Sequence, residues 1–306
     1  MLNKLLVIVG PTASGKTDLS IKLAKKYSAR GGPALGWNGA EIISADSRQV
    51  YKGMDIGTGK VTKKEMQNIP HYLLDVAPPN IKFDVVKYRK LALKAIKDIQ
   101  KRDKLPILVG GTGFYIQAVI DGIILPQVKP NWKLRKDLEK KSNSELFEQL
   151  KNLDPHRAKN IDKDNPRRLI RAIEIVLKTK SPIPKLKTEP IDSEVLILGV
   201  KKDKEELSKL IKKRLLKRLR IGMVAEVKKL HNEGVSWKRL EAFGLEYKYL
   251  ALFLQNKITK EEMIERIQKE SEHYAKRQMT WWKRDPRIHW ISSSKTVLGV
   301  VGRFLV

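Results

Sequence analysis

A glycine-rich segment near the start of the chain carries the residues best suited to phosphate chemistry. Residues 10–17 read GPTASGKT and fit the pattern G-x-x-x-x-G-K-[ST] in full. In such a loop the glycines let backbone N–H groups close around phosphate oxygens, the lysine adds a positive charge, and the final hydroxyl can hold a magnesium ion. The segment follows a strand-like run and opens a helical pattern, as this mechanism requires. We therefore predict a site for a di- or triphosphate, with Thr17 as metal ligand, formed by Gly10, Pro11, Thr12, Ala13, Ser14, Gly15, Lys16 and Thr17.

The usual companions of a nucleotide-hydrolysing phosphate loop are missing. Nucleotide hydrolases of this class place a magnesium-binding aspartate at the end of an apolar strand. Here the run PILV at 106–109 is followed by the glycine turn 110–113, which contains Thr112 and no carboxylate. A guanine-specifying N-K-x-D motif is also absent from the sequence. The loop is therefore expected to grip a phosphate compound, and hydrolysis of ATP or GTP is poorly supported.

Two polar residues stand at the carboxyl ends of predicted strands, which is where parallel sheets bind their ligands. Asp46 follows the strand-like run 41–45, and Thr112 lies in the glycine turn 110–113. A carboxylate and a hydroxyl beside a phosphate loop suit a transfer in which diphosphate or phosphate leaves while an acceptor loses a proton. Asp46 would be the base, and Thr112 would donate to the leaving oxygen. Structural roles stay open at this point, since Asp46 could cap a turn and Thr112 could satisfy a strand end.

The charge balance points to a polyanionic partner. The 306 residues include 63 Lys and Arg against 34 Asp and Glu, a formal net charge of +29. Residues 201–220 place ten basic side chains around an apolar helical stripe, so one face can dock while the other meets phosphates. In the basic segment 269–287, the aromatic residues Tyr274, Trp281 and Trp282 could stack on bases or form a buried helix end. Membrane helices would need a broad apolar face opposite their cations, so RNA or DNA is favoured.

The order of the predicted elements indicates an α/β fold. Strand-like and helix-like runs alternate through the first 125 residues, for example in a helix at about 84–102 with Asp84 as its N-cap. This rhythm predicts a P-loop NTPase-like parallel sheet covered by helices. Residues 126–192 read as an inserted all-helical subdomain that interrupts a catalytic core made of 1–125 and 193–306. The chain has no cysteine, which excludes disulfides, a cysteine zinc site and a thiol nucleophile.

Six longer segments occur in order along the chain. They are GPTASGKT at 10–17, SADSRQVYKGMDIGTGK at 44–60, PHYLLDV at 70–76, LVGGTGFYIQAV at 108–119, DPHRAKNIDKDNPRRLIRAIEI at 154–175 and YAKRQMTWWKRDPRIHWI at 274–291. Together they resemble the tRNA dimethylallyltransferases, also called tRNA isopentenyltransferases, almost from end to end. The resemblance implies transfer of a dimethylallyl group from dimethylallyl diphosphate to N6 of the adenosine on the 3′ side of the anticodon. It also implies a channel that the flipped base enters at one end and the diphosphate at the other.

The resemblance also implies roles for individual residues. Asp46 would be the base for the adenine amino group, Thr112 the donor to the oxygen between diphosphate and allyl carbon, and Arg214 a diphosphate-facing arginine. The implied tRNA contacts are Asp46, Ser47, Arg48, Gln49, Thr112, Arg135, Arg167, Arg168, Leu169, Ile170 and Arg171. Two segments depart from the family: a glycine-rich stretch at 30–39 enlarges a turn, and AFGLEYKYL at 242–250 replaces the usual G-Y-[KR]-E form. No role is transferred to either segment.

The resulting hypothesis is a cytoplasmic, monomeric tRNA prenyltransferase that uses Mg²⁺, dimethylallyl diphosphate and a tRNA anticodon stem-loop, with no membrane partner. Two alternatives share the phosphate loop. An isopentenyltransferase acting on free adenine nucleotides would have a small acceptor, which needs neither the helical insertion nor the basic helices. A P-loop nucleotide kinase is disfavoured by the missing aspartate at the end of the third predicted strand.

Overall fold

The strands form where branched and apolar residues run together. The computed structural model describes residues 3–28, 37–126, 128–184, 187–291 and 294–305, so most of the glycine-rich stretch at 30–39 lies outside the described residues. Along the chain the strands are β1 (Lys4–Val9), β2 (Ala40–Ser44), β3 (His71–Tyr72), β4 (Leu105–Gly110), β5 (Ile123–Ile124), β6 (Lys187–Thr188), β7 (Glu194–Val200) and β8 (Ile288–Ile291). The strand-like runs before the phosphate loop, at 41–45 and at 106–109 are confirmed as β1, β2 and β4.

Six of these strands form one sheet, whose order is β3-β2-β4-β1-β7-β8 within the described ranges. Every pairing in it is parallel, which confirms the predicted α/β class. The register places Val9 beside Gly110 and Ser44 beside Val109, so β1, β4 and β2 end at the same edge. The phosphate loop, the glycine turn and the Asp46 turn therefore emerge next to one another, with the glycine turn in the middle.

Helices flank the sheet and continue beyond it. They are α1 (Lys16–Ser28), α2 (Lys63–Met66), α3 (Val85–Lys101), α4 (Gly113–Ile120), α5 (Trp132–Leu138), α6 (Asn143–Leu153), α7 (Pro155–Ala158), α8 (Pro166–Thr179), α9 (Lys204–Arg220), α10 (Met223–Asn232), α11 (Trp237–Phe243), α12 (Leu245–Leu254), α13 (Lys260–Trp282) and α14 (Ser294–Leu305). The predicted cap of α3 is confirmed, because the Asp84 carboxylate accepts from the Lys87 N–H at 2.9 Å. Of the helices described, none is long and apolar enough to cross a membrane.

Alternate side chains of each strand point to the same face of the sheet and pack there against helices. Leu6 and Ile8 of β1 pack with Leu23 of α1 and Val301 of α14 in one apolar cluster. Helix α3 packs against β2 and β4, and its buried Tyr88 phenol donates to the Ser44 carbonyl at 2.9 Å. These contacts hold the strand ends that carry the predicted site in a fixed arrangement.

The chain divides into two compact units. The first comprises Met1–Asp121 and Pro190–Val306, and the second is Gly122–Glu189. In the second unit α5, α6, α7 and α8 enclose their own apolar core, which includes Leu146 and Leu150. The prediction of an all-helical insertion needs one correction, since β5 and β6 pair antiparallel within this unit. Each of these strands has two residues, which is too short for an alternating pattern to be visible in the sequence.

Candidate active site

The phosphate loop joins the end of β1 to the start of α1. Ala13 and Gly15 adopt positive φ angles of 62° and 88°, which turn the chain sharply into the helix. A Cβ atom at Gly10 would lie 2.7 Å from the Val200 carbonyl oxygen, so glycine is needed where β1 and β7 approach. The Lys16 ammonium donates to the Pro11 carbonyl at 3.0 Å. The loop thus has the backbone form and the cation that the motif predicts.

Two cations beside the loop lack a carboxylate partner among the described ion pairs. The guanidinium of Arg214, in α9, donates to the Thr12 hydroxyl. Burial, together with the charge of Arg214, lowers the pKa of Lys16 to about 8, although Asp46 opposes the shift. Burial, together with the charge of Arg218, lowers the pKa of Arg214 to about 10. Both groups are mainly cationic at neutral pH, and the pair fits a ligand that carries several negative charges.

The lowered pKa of Lys16 predicts a pH dependence of anion binding. A bound diphosphate favours the protonated amine, so affinity should fall as the pH rises through about 8 and Lys16 loses its proton. Above that pH we expect the dissociation constant of inorganic diphosphate to approach a tenfold increase per pH unit, measured by calorimetry. Lys16→Arg keeps its charge throughout this range and is expected to lose the Lys16 contribution. An equal pH slope in both proteins would contradict the assignment.

Asp46 lies in the turn that follows β2. One of its carboxylate oxygens accepts from the Arg48 N–H at 2.8 Å and from the Gln49 N–H at 3.4 Å. The side chain therefore caps its own turn, and the same contacts fix the orientation of the carboxylate. Its second oxygen makes none of the hydrogen bonds found among the described residues, so the capping role leaves an acceptor for a proton.

Thr112 stands at the N-terminus of α4 but makes no side-chain bond to that helix. Its hydroxyl instead accepts from the Ser47 N–H at 3.0 Å, which ties the glycine turn to the Asp46 turn. Burial, with the charge of Asp46, raises the pKa of Tyr274 to about 12, and a hydrogen bond with Thr112 opposes this shift. The geometry thus brings Asp46, Thr112 and a neutral phenol together.

Two cavities meet at Asp46. The first extends along the phosphate loop and is bordered by Lys16, Thr17 and Gln278, with apolar walls that include Ile42 and Val109. The second is bordered by side chains that include Arg48, Arg218, Phe243 and Tyr247. Both cavities are lined by Thr12, Asp46, Thr58, Arg214 and Tyr274. Ligands in the two cavities would therefore face each other across Asp46 and Arg214.

The segment 242–250, which received no predicted role, helps to build the second cavity. The Glu246 carboxylate accepts from buried Arg218 at 3.1 Å, and the Phe243 carbonyl accepts from the Arg48 Nε at 2.8 Å. Tyr247 donates to Glu226, whose carboxylate also accepts from the consecutive N–H groups of residues 55–57. The position of Arg218 beside the site could have been predicted from the sequence, because it lies one helical turn after Arg214 and therefore on the same face of α9.

The residues near the phosphate loop fit a magnesium ion that is bound mainly through a substrate. Thr17 and Asp46 border the same cavity, and Mg²⁺ typically takes one or two such oxygens together with phosphates and water. No cluster of three or more His, Cys, Asp or Glu that could hold a metal was found in the part of the chain that the structure describes. The described residues therefore do not form a magnesium site made of protein ligands alone.

The predicted RNA contacts at 47–49 have internal partners. Arg48 also lies over the Phe243 ring, with 5.7 Å between the guanidinium carbon and the ring centroid. The Gln49 amide accepts from the Ser44 hydroxyl at 3.1 Å and donates to the carbonyl groups of Thr58 and Gly59. These side chains form part of the walls around Asp46, and an RNA contact would be additional to this structural role.

The predicted RNA contacts of the second unit separate into two groups. Arg167 and Arg168 are exposed at the start of α8. Leu169 and Ile170 have side chains that are buried in the core of the unit, so the structure does not present these side chains on the surface. Their positions in the helix turn them inward, although they directly follow the two arginines in the sequence.

Arg135 and Arg171 belong to a buried ion cluster in the same unit. Both donate to Glu174, which is 1% exposed, and Arg135 does so through two bonds of 2.8 and 2.6 Å. Burial favours a higher pKa for Glu174, but hydrogen bonds from the two arginines and the Asn131 N–H outweigh it and lower the pKa to about 2. These arginines therefore have a structural role in addition to the predicted RNA contact.

Removal of Arg135 should destabilise the fold. We expect Arg135→Ala to lower the free energy of unfolding by about 3 kcal/mol, because it removes a principal partner of a buried carboxylate. Arg168→Ala breaks only an exposed pair with Asp162 and should cost about 1 kcal/mol or less. The contribution of Glu174 is fully present above pH of about 4.5 and should be lost as the pH falls through 2. Equal urea midpoints for the two variants would contradict a structural role.

The aromatic residues of the basic segment 269–287 are turned towards the protein. Trp282 is 1% exposed, which favours the second of the two sequence interpretations, a buried helix end. Trp281 packs on the glycine turn, since a Cβ atom at Gly113 would lie 2.4 Å from its ring. Tyr274 borders both cavities. Stacking on a base is thus left to Tyr274 among these three.

Comparison with known proteins places the chain in a family. A family model described as IPP transferase matches residues 49–285. The chain belongs to the IPP transferase family. Two relatives, both named tRNA dimethylallyltransferase, match most of the chain. The protein of Staphylococcus epidermidis is 42% identical over 307 aligned positions, covering 96% of this chain and 88% of its own. That of Acetivibrio thermocellus is 39% identical over 302 positions, covering 96% and 93%.

Solved structures of IPP transferases share the fold. The full-length tRNA isopentenylpyrophosphate transferase of Bacillus halodurans is 34% identical with a TM-score of 0.70, covering 99% of this chain and 95% of its own. A eukaryotic dimethylallyltransferase acting on tRNA gives a TM-score of 0.79 at 25% identity, covering 99% and 79%. These findings confirm the family resemblance and the P-loop NTPase-like fold that the sequence motifs predict.

Proposed function

We propose that this IPP transferase moves the dimethylallyl group of dimethylallyl diphosphate to N6 of the adenosine on the 3′ side of the anticodon in tRNA. The observation that carries the proposal is the position of Asp46, where a cavity along a cationic phosphate loop meets a second cavity. A donor and an acceptor can therefore reach one carboxylate from two sides. The names of the relatives support the same reaction.

The reaction that we propose is a displacement at the allylic C1 carbon. The N6–C1 bond forms while the bond from C1 to the bridging oxygen breaks, and the electron pair of that bond leaves with diphosphate. Asp46 accepts the proton released by the amino group, and Thr112 donates a hydrogen bond to the bridging oxygen. Tyr274 remains protonated near neutral pH and is hydrogen-bonded to Thr112. Diphosphate leaves as a group, so the carboxylate that nucleotide hydrolases place after the third predicted strand is not required.

The phosphate loop and Arg214 hold the diphosphate in this proposal. Lys16 and the loop N–H groups contact its oxygens, while Arg214 offsets the charge that develops on the leaving group. Thr17 would contribute the hydroxyl ligand for Mg²⁺, which supplies further neutralisation of the diphosphate when bound. Binding of the donor thus relieves the repulsion between Lys16 and Arg214.

The exposed cations are proposed to hold the tRNA anticodon stem-loop. The exposed cations of α9 are Lys204, Lys209, Lys212, Lys213, Lys217 and Arg220. In the second unit, Arg167 and Arg168 are exposed at the start of α8. We propose that the protein acts on tRNA as a monomer in the cytoplasm.

The proposal is tested by offering different acceptors with labelled dimethylallyl diphosphate. An anticodon stem-loop with adenosine after its third anticodon position should receive the label in the presence of Mg²⁺, while AMP and ATP should not. A stem-loop with guanosine at that position is the matched control. Label on AMP but not on the adenosine stem-loop would overturn the tRNA assignment in favour of a free nucleotide acceptor.

Binding of the stem-loop should depend steeply on salt through α9. Replacing Lys212, Lys213 and Lys217 by alanine should weaken binding and make the slope of log K against log[salt] shallower by about 2 to 3. The matched control replaces exposed Lys94, Lys97 and Lys101 of α3 and should leave the slope near its wild-type value. Titrations between about 50 and 200 mM salt measure both slopes. Equal slopes for the two triple variants would remove α9 from the interface.

A further inference from the structure

One buried amide spans the gap between the phosphate loop and the glycine turn. The Gln278 side chain, near the C-terminal end of α13, is 5% exposed. Its Oε1 accepts from the Thr12 N–H at 2.8 Å, and its Nε2 donates to the Gly111 carbonyl at 2.9 Å. Thr12 belongs to the phosphate loop, and Gly111 directly precedes Thr112. A single rigid group therefore sets the distance between the two loops.

The glycine turn is shaped to receive this amide. A Cβ atom at Gly111 would lie 2.1 Å from the Gln278 Nε2, so any larger residue there would displace the amide. Tyr274, Gln278 and Trp281 follow one another at helical spacing on the same face of α13. They contact Thr112, Gly111 and Gly113, respectively. The helix thus follows the turn closely, and Gln278 connects that turn to the phosphate loop.

We infer that Gln278 is a positioning residue that places the Thr112 hydroxyl against the bridging oxygen of a diphosphate held by the phosphate loop. This inference rests on the proposed function. Gln278 acts through the backbones of Thr12 and Gly111, and both polar ends of its amide are used in doing so. A shift of about 1 Å between the two loops would leave the donor bound but its leaving oxygen misplaced, and misplacement of this size can cost about a hundredfold in rate.

The chemistry of the two contacts explains why an amide is suited to this position. One end must accept from an N–H group and the other must donate to a carbonyl, at nearly the volume of glutamine. Gln278→Met keeps the volume and loses both bonds. Gln278→Glu keeps an acceptor for Thr12, loses the donor to Gly111, and adds a negative charge beside the diphosphate site.

A double-mutant cycle with Thr112 tests the inference. We expect Gln278→Met to lower kcat by about 10- to 100-fold, with the KM for the stem-loop changed by less than about threefold. In a Thr112→Ala background the same change should cost less than about threefold, because the hydroxyl that it positions is already absent. Gln268→Met is the matched control in the same helix, since Gln268 bonds only to Glu272 among the described residues, and it should leave kcat unchanged.

The outcomes separate the inference from the proposed function. A wild-type protein that does not label the stem-loop overturns the proposed function itself. An active wild type in which Gln278→Met costs the same factor with and without Thr112 overturns the positioning role. Should Gln278→Met lower the melting temperature too far for the assay, Gln278→Glu gives the same cycle. At saturating dimethylallyl diphosphate, where weaker donor binding caused by the added charge no longer lowers the rate, its kcat is expected to depend on Thr112 in the same way. A loss in kcat that is equal with and without Thr112 under these conditions would reject the inference.

Discussion

Asp46→Asn is expected to abolish most of the transfer while leaving RNA binding in place. Asparagine keeps an oxygen for the Arg48 N–H, so the turn after β2 should be preserved. It cannot accept the proton of the amino group, and the loss of a general base typically costs about 100- to 10,000-fold. Single-turnover transfer to the stem-loop should fall by at least about 100-fold, and the dissociation constant of the stem-loop should change by less than about threefold.

The control for this prediction is another aspartate of similar size. Asp137 lies in the second unit and forms only an exposed pair with Lys140 among the described contacts, so Asp137→Asn should retain wild-type turnover. Turnover of Asp46→Asn close to that of Asp137→Asn would remove Asp46 from the chemistry. A large loss of stem-loop affinity in Asp46→Asn would instead assign it to RNA binding.

Arg214→Leu is expected to damage catalysis and to stabilise the ligand-free protein. Loss of a cation that faces the leaving group should lower kcat by about 100- to 1,000-fold. In the absence of diphosphate, however, burial and the charge of Arg218 lower the pKa of Arg214, and the charge of Arg214 in turn lowers the pKa of Lys16. Replacing a buried charge by an apolar side chain should therefore raise the free energy of unfolding by about 1–4 kcal/mol.

Transfer to the stem-loop measures the loss of kcat, and thermal unfolding with and without inorganic diphosphate measures the change in stability. Diphosphate should raise the melting temperature of the wild type strongly and that of Arg214→Leu weakly, because the variant binds it less well. Lys97→Leu removes an exposed cation from α3, away from the phosphate loop, and should change neither kcat nor ligand-free stability appreciably. A ligand-free Arg214→Leu protein that is less stable than the wild type would show that Arg214 is mainly structural.

The local parts of the site could be predicted from the sequence because each depends on neighbours in the chain. The phosphate loop is contiguous, and its flanking strand and helix are visible as periodic patterns. Asp46 stands out because it follows a strand and no other carboxylate is in such a place. Its capping bonds use one carboxylate oxygen, so the turn-capping interpretation does not exclude the predicted role as a base.

The parts that were missed depend on contacts between distant segments. Gln278 and Glu246 make their contacts at the site only when α9, α12 and α13 pack beside the phosphate loop. No pattern in the sequence around these two residues predicts that packing. Leu169 and Ile170 are a different case, because the period of α8 already predicts that they face inward while Arg168 faces out. The helical period at this point therefore separates the buried residues of α8 from the arginines that precede them.

The assembly of the site also constrains the order in which the protein becomes competent during synthesis. The Thr12 contacts from Arg214 and Gln278 span 202 and 266 residues of chain. At ribosomal rates of about 5–20 residues per second, the phosphate loop therefore emerges on the order of tens of seconds before these partners. The central strand β1 pairs with β4 and β7, which are synthesised later, so its contacts are non-local and slow to form. Diphosphate can consequently stabilise the finished fold, but it offers little assistance to a chain that is still being made.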